Sequence, residues 1–166
     1  MKVYQTEEIK NIALLGNDGS GKTTLTESLL FEAGVIKRRG RITQHNTVSD
    51  YFPVEHEYGY SVFSTVYHTE FNGKKLNIID CPGADDFIGQ ALTALHVTDT
   101  AILLINGQVG PEVGTMNHFR YTEKLNKPVI FLINQLDAEK CDYTMSVERL
   151  RESFGSKVVQ IQYPLN

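Results

Sequence analysis

The feature that most constrains this chain is an eight-residue stretch, Gly16-Asn17-Asp18-Gly19-Ser20-Gly21-Lys22-Thr23, which reads GxxxxGKT. It follows a short apolar run at residues 12–15. It opens a segment of helical period in which Leu25, Leu29 and Leu30 share a face and which stops at Gly34. Glycines let the backbone curl so that several N–H groups point inward at one anion, and the helix N-terminus adds partial positive charge. In this setting Lys22 reaches the β- and γ-phosphates of a nucleotide, the Thr23 hydroxyl binds Mg²⁺, and Thr24 completes the binding stretch.

A phosphate loop between strand and helix calls for a sheet covered by helices, and the rest of the chain supplies one. Apolar runs at residues 76–79, 101–105 and 129–133 read as strands, and a last one is expected near residues 158–161. Between residues 62 and 71 polarity alternates, with Phe63, Tyr67 and Phe71 on one side. Asn72-Gly73 then supplies the turn of a hairpin. Helical spacing recurs through Phe87, Ile88, Ala91, Leu92 and Leu95, through residues 115–125, and through Val147, Leu150 and Phe154. The fold class read from this order is α/β: a P-loop NTPase with a doubly wound, mostly parallel sheet, one antiparallel hairpin strand, and helices on both faces. Residues 34–59 show no clear period and are longer than an ordinary connection. They carry the basic run Lys37-Arg38-Arg39-Gly40-Arg41.

Composition narrows the class further. The 166 residues are 41% hydrophobic and 22% charged, enough for one domain core and incompatible with a disordered tail or a collagen-like repeat. With Lys+Arg 16 against Asp+Glu 20, the net charge of −4 gives no global attraction for nucleic acid or anionic membrane, so such a partner needs a local patch. No run approaches the ~18 apolar residues of a membrane span, and the charged N-terminal ten residues do not read as a signal peptide. Cys81 and Cys141 are too few and too isolated for a disulfide framework or a zinc site, which suggests a reducing, cytoplasmic setting. The five histidines, His45, His56, His68, His96 and His118, lack metal-ligand spacing and read as surface or packing residues.

Two further motifs follow the phosphate loop. Asp80-Cys81-Pro82-Gly83 comes after the strand at 76–79, where a carboxylate at the strand's end can hold Mg²⁺ through water and Gly83 can offer a backbone N–H to the γ-phosphate. Asp-x-Pro-Gly is also an ordinary turn. Asn134-Gln135-Leu136-Asp137 follows the strand at 129–133. There Asp137 can accept two hydrogen bonds from guanine, a pattern adenine does not offer, and Asn134 can brace the base pocket and the phosphate loop.

Taken together, GNDGSGKTTLTESLL, GVIKRRGRI followed by NTVSDYFPVEHEYG, NIIDCPGADDF and FLINQLD resemble a translational GTPase of the elongation factor G type, over roughly residues 11–166. The NTVSD stretch and Glu55 are more similar to the divergent, paralogous branch. The resemblance implies GTP and GDP as ligands with Mg²⁺ on Thr23, Ser61 and Asp80. It implies residues 35–64 as a first switch, residues 80–95 as a second, and Ser61 in the place of a Mg²⁺-binding threonine. It also implies a cytoplasmic, non-membrane, monomeric factor that meets the ribosome and tRNA–mRNA through its full-length form.

The departures from the family pattern carry their own expectations. Ala84 stands where the family has the histidine that positions the attacking water, so GTP hydrolysis is expected to be slow or absent; Asp85 is a poor substitute. A conventional ribosome-stimulated GTPase, and more distantly an ATP-dependent P-loop enzyme, are the competing readings. Gln135 replaces the motif's lysine, which removes the ammonium that tethers the phosphate loop and predicts weaker guanine binding. Cys81 replaces a threonine and reads as small packing or as a redox-sensitive thiol. Tyr58 takes the place of an arginine; with Tyr60 it could stack on RNA or pack locally, and the basic cluster could contact ribosomal RNA or be solvated. In the family a Gln-x-Pro segment, here Gln162-Tyr163-Pro164, leads on to a final guanine-binding motif. The chain is therefore expected to be the N-terminal part of such a domain, with poor nucleotide affinity on its own.

Overall fold

The computed structural model describes residues 2–49, 51–139 and 141–165. Asp50, which closes the NTVSD stretch, lies outside them, as do Met1, Lys140 and Asn166. Five strands form one sheet: β1 (Ile9–Gly16), β2 (Thr65–Phe71), β3 (Lys74–Asp80), β4 (Thr100–Asn106) and β5 (Val129–Asn134). Their order is β2-β3-β1-β4-β5, with β2 antiparallel to β3 and the other neighbours parallel. The hairpin between β2 and β3 turns at Asn72 and Gly73, both with positive φ (47° and 77°), the conformation a tight type I′ turn requires.

Helices cover both faces. On one, Ala13, Leu15 and Cys81 of the sheet side, with Ala101 and Leu103 of β4, pack against Ala91, Ala94 and Leu95 of α3 (Ile88–Val97). Helix α4 (Val113–Lys124) lies on β4 and β1 beside it. On the other face Leu14, Ile78 and Leu104 pack with Leu25 of α1 (Lys22–Glu32). Phe119 of α4, Phe131 of β5 and Phe154 of α5 (Tyr143–Phe154) bring their rings within 4.5–5.7 Å of one another at the β5 side of the sheet. Among the described residues no helix is long and apolar enough to cross a membrane.

Four sequence expectations are corrected. Residues 158–161 form no strand; they are irregular chain that lines an apolar groove of about 580 Å³ with Val129, Phe131 and Ile133 of β5. Leu29 is exposed, and α1 instead buries Lys22, Thr23, Thr26, Glu27 and Leu30. Phe63 precedes β2 and is exposed. The span 34–59, expected to lack regular structure, contains a short helix α2 (Pro53–Tyr58), which Pro53 starts and Gly59 ends in the left-handed conformation.

Candidate functional site

The parallel register brings the carboxyl ends of β1, β3, β4 and β5 to one edge of the sheet. Leu14 pairs with Asp80, Gly16 with Leu104, and Asn106 with Asn134. Open α/β sheets place ligands outside this edge, and the motifs of the sequence converge on it.

Residues 16–21 curl from β1 into α1. Ser20 donates its backbone N–H to Asn17, and Asp18 accepts from the Gly19 N–H at 2.9 Å. The Lys22 ammonium lies buried inside the curl, donating to the carbonyls of Gly16 at 3.0 Å and Asn17 at 2.9 Å. Ser20 Oγ is buried with no hydrogen-bond partner among the described residues, a polar atom held in reserve within an anion-shaped loop. Thr23 Oγ1 donates to Asp80 Oδ2 at 3.2 Å, so the hydroxyl of the first α1 turn and the carboxylate ending β3 share one spot. Both are hard oxygen donors of the kind Mg²⁺ takes. Thr24 faces solvent.

Gly83 packs directly onto the phosphate loop. A Cβ there would come within 2.5 Å of Lys22 Nζ and 2.7 Å of Asp18 N, so no other residue fits without moving the loop. Cys81 and Pro82 are buried beside it. Burial pushes the Cys81 thiol up to about 12, so it stays protonated near neutral pH and belongs to the core. Ala84 begins a turn at residues 85–87. Asp85 is exposed, and its Oδ1 accepts a long bond (3.4 Å) from Asn117 of α4. Ser61 is half-buried between α2 and β2.

From the far side, Asn134 donates to the Ser20 carbonyl at 2.9 Å, and Gly21 lies so close to the Asn134 amide that a side chain at position 21 would collide with it. Gln135, in the left-handed conformation at φ 59°, donates from Nε2 to the Gly19 carbonyl at 2.9 Å. The ammonium is absent, as the sequence says, but a neutral amide reaches the phosphate loop from this position. Leu136 and Asp137 are exposed beyond it.

Sequence reasoning missed the roles of Glu27, Glu55 and Asn106 in this region. Glu27 and Glu55 are buried carboxylates that hold residues 35–64. Glu27 accepts from the N–H groups of Gly40 (2.6 Å) and Val48 (2.5 Å). Glu55 accepts from Phe52 (3.3 Å), Val62 (3.0 Å) and Phe63 (3.1 Å). Asn106 contacts Gln135 from β4. His118 of α4 is buried with both ring nitrogens unpartnered among the described residues; burial, with the Lys22 charge, lowers its pKa to about 4 against the opposing pull of Asp85. The inward helical position of Glu27, one turn after Thr23, was the available signal for the first of these. Elsewhere Tyr58 and Tyr60 pair their rings at 5.7 Å, and Arg39 of the basic run lies over the Phe31 ring.

Residues 7–163 match the family described as Elongation factor Tu GTP binding domain. An elongation factor G-like protein of Thermotoga maritima is 33% identical over 159 residues, covering 96% of this chain and 22% of that protein. The mitochondrial ribosome-releasing factor 2 of Drosophila willistoni is 34% identical with the same coverage, and the tetracycline resistance protein TetP of Clostridium perfringens is 35% identical over 94% of this chain and 24% of its own length. A crystal structure from Thermus thermophilus superposes with a TM-score of 0.86 at 36% identity, covering 89% of this chain and 22% of that one. The chain thus spans less than a quarter of the length of these relatives. Fold and sequence agree that the chain belongs to the elongation factor Tu GTP binding domain family.

Proposed function

We propose that this chain is the guanine-nucleotide-binding domain of an elongation factor G-like protein that acts on the ribosome in translocation, and that it hydrolyses GTP slowly or not at all. Residues 35–64 and 80–95 serve as its two nucleotide-sensing switches. The phosphate cradle around Lys22, the Thr23–Asp80 pair and the two side chains of the Asn134-Gln135 motif on the loop's backbone support guanine-nucleotide binding. Asp137, exposed at the same end, is the group that selects guanine by accepting from its N1–H and amine. Thr23, Ser61 and Asp80 would hold Mg²⁺, which when bound stabilises charge on the phosphate oxygens. The kinship to a ribosome-releasing factor supports a ribosomal site of action.

The observation that carries slow hydrolysis is Ala84, directly after the glycine that touches the phosphate loop. Its methyl group orients no water. Asp85 is directed to Asn117 of α4, and its negative charge disfavours approach to the γ-phosphate. A positioned general base is worth about 10²–10⁴-fold in rate. GTP turnover of the full chain with ribosomes is therefore expected to lie on the order of 100-fold below that of the Ala84→His variant. Equal ribosome-stimulated turnover in the two proteins would refute the slow-hydrolysis reading.

A further inference from the structure

We propose that Asn106 is a positioning residue that fixes the Gln135 side-chain amide so that this neutral group tethers the phosphate loop. The inference rests on the guanine-nucleotide reading above, and deepens it by adding a residue from β4 to the base side of the site.

The bonds form a one-way chain. Asn106 Oδ1 accepts from the backbone N–H of Gln108 at 2.9 Å and of Val109 at 3.4 Å. Its Nδ2 donates to Gln135 Oε1 at 2.8 Å, and Gln135 Nε2 donates to the Gly19 carbonyl at 2.9 Å. A backbone N–H can only donate and a backbone carbonyl can only accept. Two primary amides spanning a fixed donor and a fixed acceptor therefore fit in one orientation, each handing its NH₂ toward the phosphate loop.

The donor end is itself immobilised. Gly107 N–H donates to the Asn134 carbonyl at 2.9 Å, Gly110 N–H to the Asn106 carbonyl at 2.8 Å, and Ser146 of α5 donates to the Gly107 carbonyl at 2.8 Å. Asn106 also stands opposite Asn134 in the β4–β5 register, one residue before the amide it orients. An amide free to flip would face Gly19 with its oxygen in half of its orientations and repel the carbonyl. Anchoring Oε1 removes that state, at a residue whose backbone is in the left-handed region at φ 59°.

Asn106→Asp keeps size and acceptor but removes the donor. The carboxylate then draws the Gln135 NH₂ toward itself, which turns Oε1 onto the Gly19 carbonyl. GDP and GTP affinity of the full chain is expected to fall on the order of tenfold. Adding Gln135→Lys in the Asn106→Asp background is expected to recover it, because an ammonium donates to the carboxylate and to Gly19 at once. Unchanged affinity in Asn106→Asp, or a loss that the second substitution does not recover, overturns the proposal. The relay is also read without nucleotide: the Gln135 side-chain amide signal of ¹⁵N-labelled protein is expected to move in Asn106→Asp, and an unmoved signal overturns the proposal independently. Absence of guanine-nucleotide binding by the unsubstituted chain would instead refute the functional reading, with the amide signal still deciding the relay.

Discussion

The turn from β1 into α1 and the segment 35–64 face the same end of the sheet but are held in different ways. The turn is fixed by a backbone bond from Ser20 to Asn17, a lysine folded back onto the carbonyls of Gly16 and Asn17, and two amides from the end of β5. The segment has local backbone bonds, such as Gln44 N–H to Arg41 and Gly59 N–H to Glu55, but its ties across the chain run to side chains. It is tied down by Glu27 and Glu55, which collect five backbone N–H groups between them. The turn takes its ties from a lysine at its own end and from the end of β5, whereas the segment hangs on two carboxylates and can be released at two points.

Glu27→Ala should break the comparison most strongly. It orphans the N–H groups of Gly40 and Val48, at about 1.5–3 kcal/mol for each bond to a charged group. Trypsin cleavage at Lys37, Arg38 and Arg39 is expected to accelerate while the amides of β1 stay protected from hydrogen exchange. Equal protease resistance in variant and parent would show that other contacts hold the segment.

Acid tests α4, whose Gly114 lies against Asn17 of the turn. The folded-state pKa of His118, about 4, lies below the ordinary value of 6.5, so the unfolded chain binds more protons in between. The stability this residue leaves intact is fully present above pH 6.5 and is lost as pH falls toward 4, by up to roughly 3 kcal/mol. Urea denaturation at pH 7 and pH 4.5 should show that loss in the parent and a flatter dependence in His118→Leu. A parallel loss in both would assign the acid sensitivity elsewhere.

Glu55→Gln sharpens the comparison at the smallest scale. The amide keeps one acceptor oxygen, enough for Val62 and Phe63, and gives up the 3.3 Å bond from Phe52. A cost of about 1 kcal/mol in thermal unfolding is expected, with the trypsin pattern little changed. Release as complete as in Glu27→Ala would mean that the segment has one anchor rather than two.

The same contrast explains what the sequence made legible. Phosphate loop, hairpin turn and parallel strands are local patterns: glycine spacing, Asn72-Gly73, and apolar runs such as 101–105, each of which states its own geometry. The span 34–59 is opaque because two of its backbone N–H groups end on a carboxylate outside it, Glu27, 13 and 21 residues away. The leucine face of α1 misled because the helix packs with a polar inner stripe, where Thr26 and Glu27 displace the exposed Leu29. Residues 158–161 are apolar enough for a strand, but the structure gives them no ladder partner, and apolarity alone does not make one. Gln135 shows in the sequence only as a lost charge, because its partner Asn106 is brought beside it by the fold.

One consequence of Glu27 is mechanical. It lies four residues after Thr23 on the same rigid helix, about 6 Å along the axis. Helix α1 is therefore a short connecting rod, with the phosphate cradle at one end and the cord to Gly40 and Val48 tied one turn further along. One turn of helix separates the hydroxyl that meets Asp80 from the carboxylate that meets Gly40 and Val48.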